Sequence, residues 1–283
     1  LSNMEEISRS KSGVAAFLAV DEEGGSVARL ANHEGLSVEN TGSMGEIGQS
    51  GDPQKALEAG EAMGGYLKEY GFNVDFAPVA DVLDSGENTV IGDRSFGTDP
   101  ELVSKMAANV ASGLQRQGVS AVLKHFPGHG STVEDTHESA ARMDKTLEEL
   151  EGKDLLPFQA GIEAGADFVM VGHLSAPAAA GEDVPAVFSE TLVTGVLREQ
   201  MGFQGIIITD ALNMAAVTQG NTSEEAAVKA LQAGADMLLM PQDFAAAYQG
   251  VLDAVESGEL TEERIDESVL RILTLKFQKQ TGP

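Results

Sequence analysis

The chain is 283 residues long with 42% hydrophobic content, enough to bury one large core and a common size for a single α/β barrel. Its 45 acidic against 18 basic residues give a formal charge of −27, which repels nucleic-acid backbones and anionic lipid surfaces, and no apolar run approaches the roughly 20 residues of a spanning helix. The absence of cysteine excludes disulfides, thiolate metal sites and a cysteine nucleophile.

Residues 1–12, LSNMEEISRSKS, lack the apolar centre of a signal peptide. Any signal would lie upstream of Leu1, so the compartment, bacterial cytoplasm or cell envelope, is left open. After a first apolar run from Val14 to Val20, one phrase repeats: an amphipathic helical segment, a closing glycine, then a short apolar strand. The glycines are Gly71, Gly118, Gly165, Gly202 and Gly234, and the runs that follow are FNVDFAPV, VSAVLKHF, ADFVMVG, FQGIIITD and ADMLLMP. Each glycine suits the left-handed position that ends a helix, and each run reads as a parallel strand buried on both faces. Helix starts agree with this phrasing. Asp52 and Asp99 precede Pro53 and Pro100, and Thr222 with Glu225 has capping-box spacing. The expected fold is α/β, a single TIM-type (β/α)8 barrel over residues 1–283. Six strands are counted, so one or two more are expected upstream of Leu1. No linker or low-complexity tract suggests a second domain.

Polar residues follow nearly every strand, where a barrel would gather them at one mouth. Asp21 and Arg29 lie in DEEGGSVARL after the first, Asp93 and Arg94 in IGDRSFG after the second, His173 in GHLSAP after the fourth, and Asp210 in TDALNM after the fifth. The densest stretch follows the third strand. Lys124 to His137, KHFPGHGSTVEDTH, holds three of the five histidines, a lysine and two carboxylates, and Pro127, Gly128 and Gly130 forbid a helix directly after the strand. Asp135 and His137 are two apart, so in an extended loop the carboxylate can orient and charge the imidazole, whose ordinary pKa suits general acid/base work. With two glycines near its start, the segment Gly128 to Glu138 is expected to be a flexible loop that can swing from the pocket. Asp210, flanked by apolar residues, is suited to be held rigidly for attack.

KHFPGHG followed by D-T-H, with DEEGG, Arg29 eight residues after Asp21, DRSFG and TDALNM, resembles the β-N-acetylglucosaminidases of glycoside hydrolase family 3. These motifs span Asp21 to Met214 in the family's order. The resemblance implies a (β/α)8 barrel that removes terminal β-linked N-acetylglucosamine with retention, from peptidoglycan fragments or chito-oligosaccharides. It implies that Asp210 is the nucleophile, His137 the acid/base and Asp135 its partner. Asp21, Arg29, Arg94, Lys124 and His125 would hold sugar hydroxyls, with His173 and Met214 completing the substrate-binding set. No cofactor and no metal are implied, the partner is a small carbohydrate, and the oligomeric state is open. The family's β-glucosidase branch normally carries Asp-Trp at the nucleophile and draws its acid from a second domain; this chain has no tryptophan. Thr136 stands for the commoner serine and Ala211 for a frequent aspartate, and neither change removes a catalytic group.

Other readings stay open on the residues alone. His125, His129, His137 and Asp135 can supply ligands for a metal-dependent hydrolase. A sugar-binding protein without turnover would keep the same pocket. Within the family, an imidazole acid/base also permits phosphorolysis, because phosphate meets less repulsion beside imidazole than beside carboxylate.

Overall fold

The computed structural model describes residues 1–84, 88, 90–132 and 141–281. Its centre is a six-stranded parallel sheet that curls into a half-barrel. The strands are β1 (Ala19–Val20), β2 (Val74–Asp75), β3 (Ser120–Phe126), β4 (Phe168–Val171), β5 (Ile206–Ala211) and β6 (Met237–Leu239), and they pair in chain order. Ala19 opposes Val74, Val74 opposes Ser120, Val122 opposes Phe168, Phe168 opposes Ile206 and Ile208 opposes Met237. Five fall within the apolar runs expected from the sequence, and β5 runs one residue past its own, to Ala211. Several are shorter than those runs. After Asp75 the chain still pairs, through Phe76 N–H to the Val20 carbonyl at 2.8 Å and Val122 N–H to the Ala77 carbonyl at 2.8 Å, but Pro78 has no N–H to continue a regular ladder.

The punctuation was legible too. Gly71 and Gly118 close the Pro53–Glu69 and Pro100–Arg116 helices with φ of 89° and 85°, where any side chain would be strained. Asp52 and Asp99 accept the Gln54 and Glu101 amides, and Thr222 forms the full capping box with Glu225. Those two long helices pack closely because Gly60 and Gly113 face each other's backbone: a Cβ on either would lie 2.4 Å from a carbonyl oxygen of the other helix.

Two cores flank the sheet. Outside it, the helices bury Met63, Leu67, Met106, Val110, Leu123, Phe158, Val169 and Ile207 with their neighbours. Inside the curl, Val74, Phe76, Val122, Phe168, Met170, Ile206 and Ile208 converge, and Ile272 and Leu275 of the C-terminal Glu262–Thr281 helix close the cluster. β3 is therefore buried along its whole length, as a two-faced parallel strand must be. Asp236, just before β6, fastens that last helix: it accepts Ser268 Oγ at 2.7 Å and Arg271 at 3.0 Å, besides Arg198 at 2.7 Å and the Ile207 amide at 2.9 Å. No helix among the described residues is long and apolar enough to cross a membrane.

Candidate active site

Polar residues just after β1 and in the C-terminal halves of β3 and β5 meet at the C-terminal mouth of the curled sheet, together with a turn that follows β2. There Asp21, Glu23, Arg29, Arg94, Lys124, His125, Asp210 and Met214 line one cavity of about 230 Å³, with an apolar wall that includes Phe76, Met170 and Met240. Seven of the sequence-predicted site residues are thus brought together from segments up to 193 positions apart, from Asp21 to Met214. Asp135 and His137, and with them most of the loop expected to swing, lie outside the described residues.

Lys124 is the centre of the charge pattern. It projects from β3 and is only 2% exposed, with its ammonium 2.8 Å from Asp21 and 2.6 Å from Glu23. Glu23 also takes a two-pronged contact from Arg94, Nε at 2.7 Å and Nη2 at 2.8 Å. Burial alone would raise the Glu23 carboxyl, but the Lys124 ammonium and the Arg94 guanidinium more than offset it and bring it down to about 2. Burial likewise disfavours the Lys124 charge, yet Glu23 and Asp21 hold its pKa above the ordinary lysine value. The result is a fixed array of ionised groups at one wall of the cavity.

Glu23 went unmarked as a site residue in the sequence reading, although it stands two positions after Asp21 and so shares its side of an extended segment. Arg94 has an acid beside it in sequence, Asp93. Its salt bridge in the fold is to a carboxylate 71 positions away. A Glu23→Gln substitution should therefore lower unfolding free energy at pH 7 by roughly 3 kcal/mol, the usual cost of breaking a buried pair from one side. Because the folded-state pKa is depressed, this contribution is present above the ordinary glutamate pKa and fades as pH falls from there toward about 2. Denaturant unfolding of both proteins between neutral pH and pH 3 measures it; equal stability at pH 7 refutes the ion-array account.

Asp210 sits at the end of β5, half-buried, with Oδ1 accepting the Ala211 amide at 2.7 Å. Burial pushes its pKa up, while His125, His173, that amide and Lys124 pull it below the ordinary aspartate value, so the carboxylate is charged at neutral pH. His173 does not line the cavity. It was expected to face the sugar, but it is fully buried, and its Nε2 donates to the Ala211 carbonyl at 2.9 Å. Its place is behind the β5 end, where it holds the peptide next to Asp210.

His125 is set by a second residue that sequence reasoning missed. Fully buried Asp81, in the APVADV stretch, receives His125 Nδ1 at 2.8 Å, the His125 amide at 3.2 Å and the His129 amide at 2.7 Å. Asp81 thus takes the Nδ1–H and leaves Nε2 as the ring's second hydrogen-bonding atom. The neighbouring His129 is buried, pairs through Nδ1 with Thr132 Oγ1 at 2.8 Å, and is pushed by burial toward its neutral form. The glycines of PGHG also have a packing reason: a Cβ on Gly130 would lie 2.0 Å from the Val82 carbonyl oxygen, and Gly128 has φ 124°. Among the described residues no three His, Cys, Asp or Glu side chains are grouped as metal ligands.

The chain and its fold have counterparts among known proteins. β-Hexosaminidase A of Pseudoalteromonas piscicida is 34% identical over 95% of this chain and 48% of its own length, and β-hexosaminidase LpqI of Mycobacterium tuberculosis is 38% identical over 92% of this chain and 67% of its own. The solved structure of a glycoside hydrolase family 3 β-N-acetylglucosaminidase from Paenibacillus sp. str. FPU-7 superposes with a TM-score of 0.92 at 38% identity, over 99% of this chain and 53% of that one. The chain thus spans about half the length of the Pseudoalteromonas and Paenibacillus proteins and two thirds of that of LpqI. Residues 2–275 match the model of the glycosyl hydrolase family 3 N-terminal domain, and the chain belongs to that family.

Proposed function

We propose that this chain is the catalytic domain of a retaining exo-β-N-acetylglucosaminidase, acting on terminal β-linked N-acetylglucosamine of peptidoglycan fragments or chito-oligosaccharides. The observation that carries the reading is the shared cavity: an ionised, rigidly held Asp210 opposite an array of Lys124, Arg94, Asp21 and Arg29 able to grip several hydroxyls. Its volume of about 230 Å³ is small for a ligand pocket and matches one sugar ring, which favours removal of end units over internal cleavage. Asp210 would attack the anomeric carbon and His137, oriented by Asp135, would protonate the leaving oxygen and later activate water. His125, its ring held by Asp81, would hydrogen-bond a sugar hydroxyl, and Met214 would pack on the ring's apolar face. The names of the similar hexosaminidases agree with this substrate class. The six strands are read as staves of a (β/α)8 barrel, with residues 1–283 forming a single domain; their consecutive order and filled interior support that.

The test is turnover of a chromogenic β-N-acetylglucosaminide followed by proton NMR of the first sugar released. Release of the β-anomer, unaffected by a chelator and independent of phosphate, is the expected result. First appearance of the α-anomer removes the covalent mechanism, and loss of activity with chelator returns the metal-dependent reading.

A further inference from the structure

The hairpin that carries three of the sugar-facing residues is held from beneath by two buried carboxyls. Its strands, Glu22–Gly24 and Val27–Ala28, are flanked by Asp21 and Arg29. Glu22 is fully buried and accepts three donors: the Leu30 amide at 2.7 Å, the Ala31 amide at 2.9 Å and Tyr66 Oη at 2.8 Å. Three donors suit a charged carboxylate. Asp75, on β2, is also fully buried, but its surroundings are the opposite. Oδ1 accepts the Glu22 amide at 3.0 Å, and Oδ2 has no hydrogen-bond partner among the described residues.

The charged or titratable groups that face Asp75 are Glu22 and Asp21 from the segment after β1, Lys124 from β3 and Tyr66 from the Pro53–Glu69 helix. The Lys124 ammonium is already in contact with two carboxylates, Asp21 and Glu23. A second negative charge beside Glu22, buried and with one bare oxygen, has no compensation of its own. We infer that Asp75 is a positioning residue that works as an uncharged carboxylic acid, holding the Glu22 amide so that Asp21 and Glu23 on either side stay docked on Lys124. Burial, foremost, together with the Glu22 and Asp21 charges, pushes its pKa well above the ordinary aspartate value, against the pull of the Glu22 amide and of Lys124. Raised in the fold, it favours the native state at low pH and loses that contribution as pH rises toward its folded-state value. The grip on the hairpin therefore weakens as pH rises toward that value.

The inference rests on the proposed sugar site for its kinetic consequence but not for its physical one. Two substitutions separate the cases: Asp75→Asn keeps the acceptor and the neutrality, and Asp75→Ala removes the acceptor. In difference infrared spectra at neutral pH, the carboxylic-acid carbonyl band should be present in wild type and missing from Asp75→Asn. Amide hydrogen exchange at Glu22, read by NMR, should quicken in Asp75→Ala and stay near wild type in Asp75→Asn. On an aryl N-acetylglucosaminide, Asp75→Ala should raise KM by about tenfold with kcat changed far less, while Asp75→Asn stays within about threefold and loses whatever fall in kcat/KM with rising pH follows Asp75 ionisation. A wild type lacking the acid band, or an Asp75→Ala protein that folds with unchanged Glu22 exchange, overturns the inference. If wild type is inactive on the glycoside, the function reading fails alone, and the infrared and exchange results still judge Asp75.

Discussion

Asp210→Asn should abolish covalent catalysis while leaving the fold intact. The side chains are nearly isosteric, and the Ala211 amide at 2.7 Å still meets an oxygen if the new amide turns its carbonyl that way. What is lost is a charge that the site maintains at some cost, since burial opposes it and His125, His173 and Lys124 offset the opposition. A neutral amide cannot bond to the anomeric carbon, so kcat/KM on an activated aryl N-acetylglucosaminide should fall by roughly three orders of magnitude or more, about 4 kcal/mol of transition-state stabilisation. KM should move little if Lys124, Arg94, Asp21 and Arg29 supply most of the ground-state binding. In wild type, a fluorinated N-acetylglucosaminide should trap the glycosyl-enzyme, and peptide mass spectrometry should place the label on Asp210. A label on Asp93 or Asp135, or an Asp210→Asn variant with near-normal turnover, would mean that another carboxylate attacks.

The path from sequence to this site worked where a residue's chemistry is local and stalled where it depends on a distant partner. Strand order was legible because each glycine closes a helix and each following run is apolar on both faces, and these two signals recur five times. Gathering Asp21, Arg94, Lys124 and Asp210 into one mouth then needed only the rule that barrel sites sit at strand C-termini. The ion array was not legible. That Arg94 bonds Glu23 across 71 positions, in place of adjacent Asp93, follows from how a turn after β2 faces a hairpin after β1. Local spacing carries no record of it. Asp75 and Asp81 were hidden for a similar reason: one lies inside and the other just past the apolar run FNVDFAPV, and an acid there marks a buried acceptor only once its donors are known. His173 shows the converse. A histidine at a strand end reads equally as ligand or as support, and only its bond to the Ala211 carbonyl decides for support.

His137→Ala should change how rate depends on the leaving group more than it changes any single rate. In the proposed mechanism His137 protonates the departing oxygen, which matters most when that oxygen is the basic alcohol of a second sugar and least when it is an acidic phenol. Across a series of aryl N-acetylglucosaminides, kcat/KM of the variant should fall steeply with rising phenol pKa, whereas wild type should depend on it weakly. Asp135→Asn should give the same pattern more mildly, since it leaves the imidazole but removes the charge that orients and tunes it. Among the described residues the other histidines of this stretch are engaged elsewhere: His125 gives its Nδ1 to Asp81, and His129 is buried, engaged with Thr132 and biased toward neutrality. The array of Lys124, Arg94 and Glu23 is ionised in the wrong sense or locked in pairs, so it cannot donate a proton near pH 7 without breaking its own contacts. A histidine, the side-chain type whose free imidazole titrates nearest neutrality, is what this otherwise fixed site needs to carry a proton in both directions. A uniform loss across the whole phenol series would show instead that His137 binds substrate or shapes its loop, and the acid would then have to be sought elsewhere.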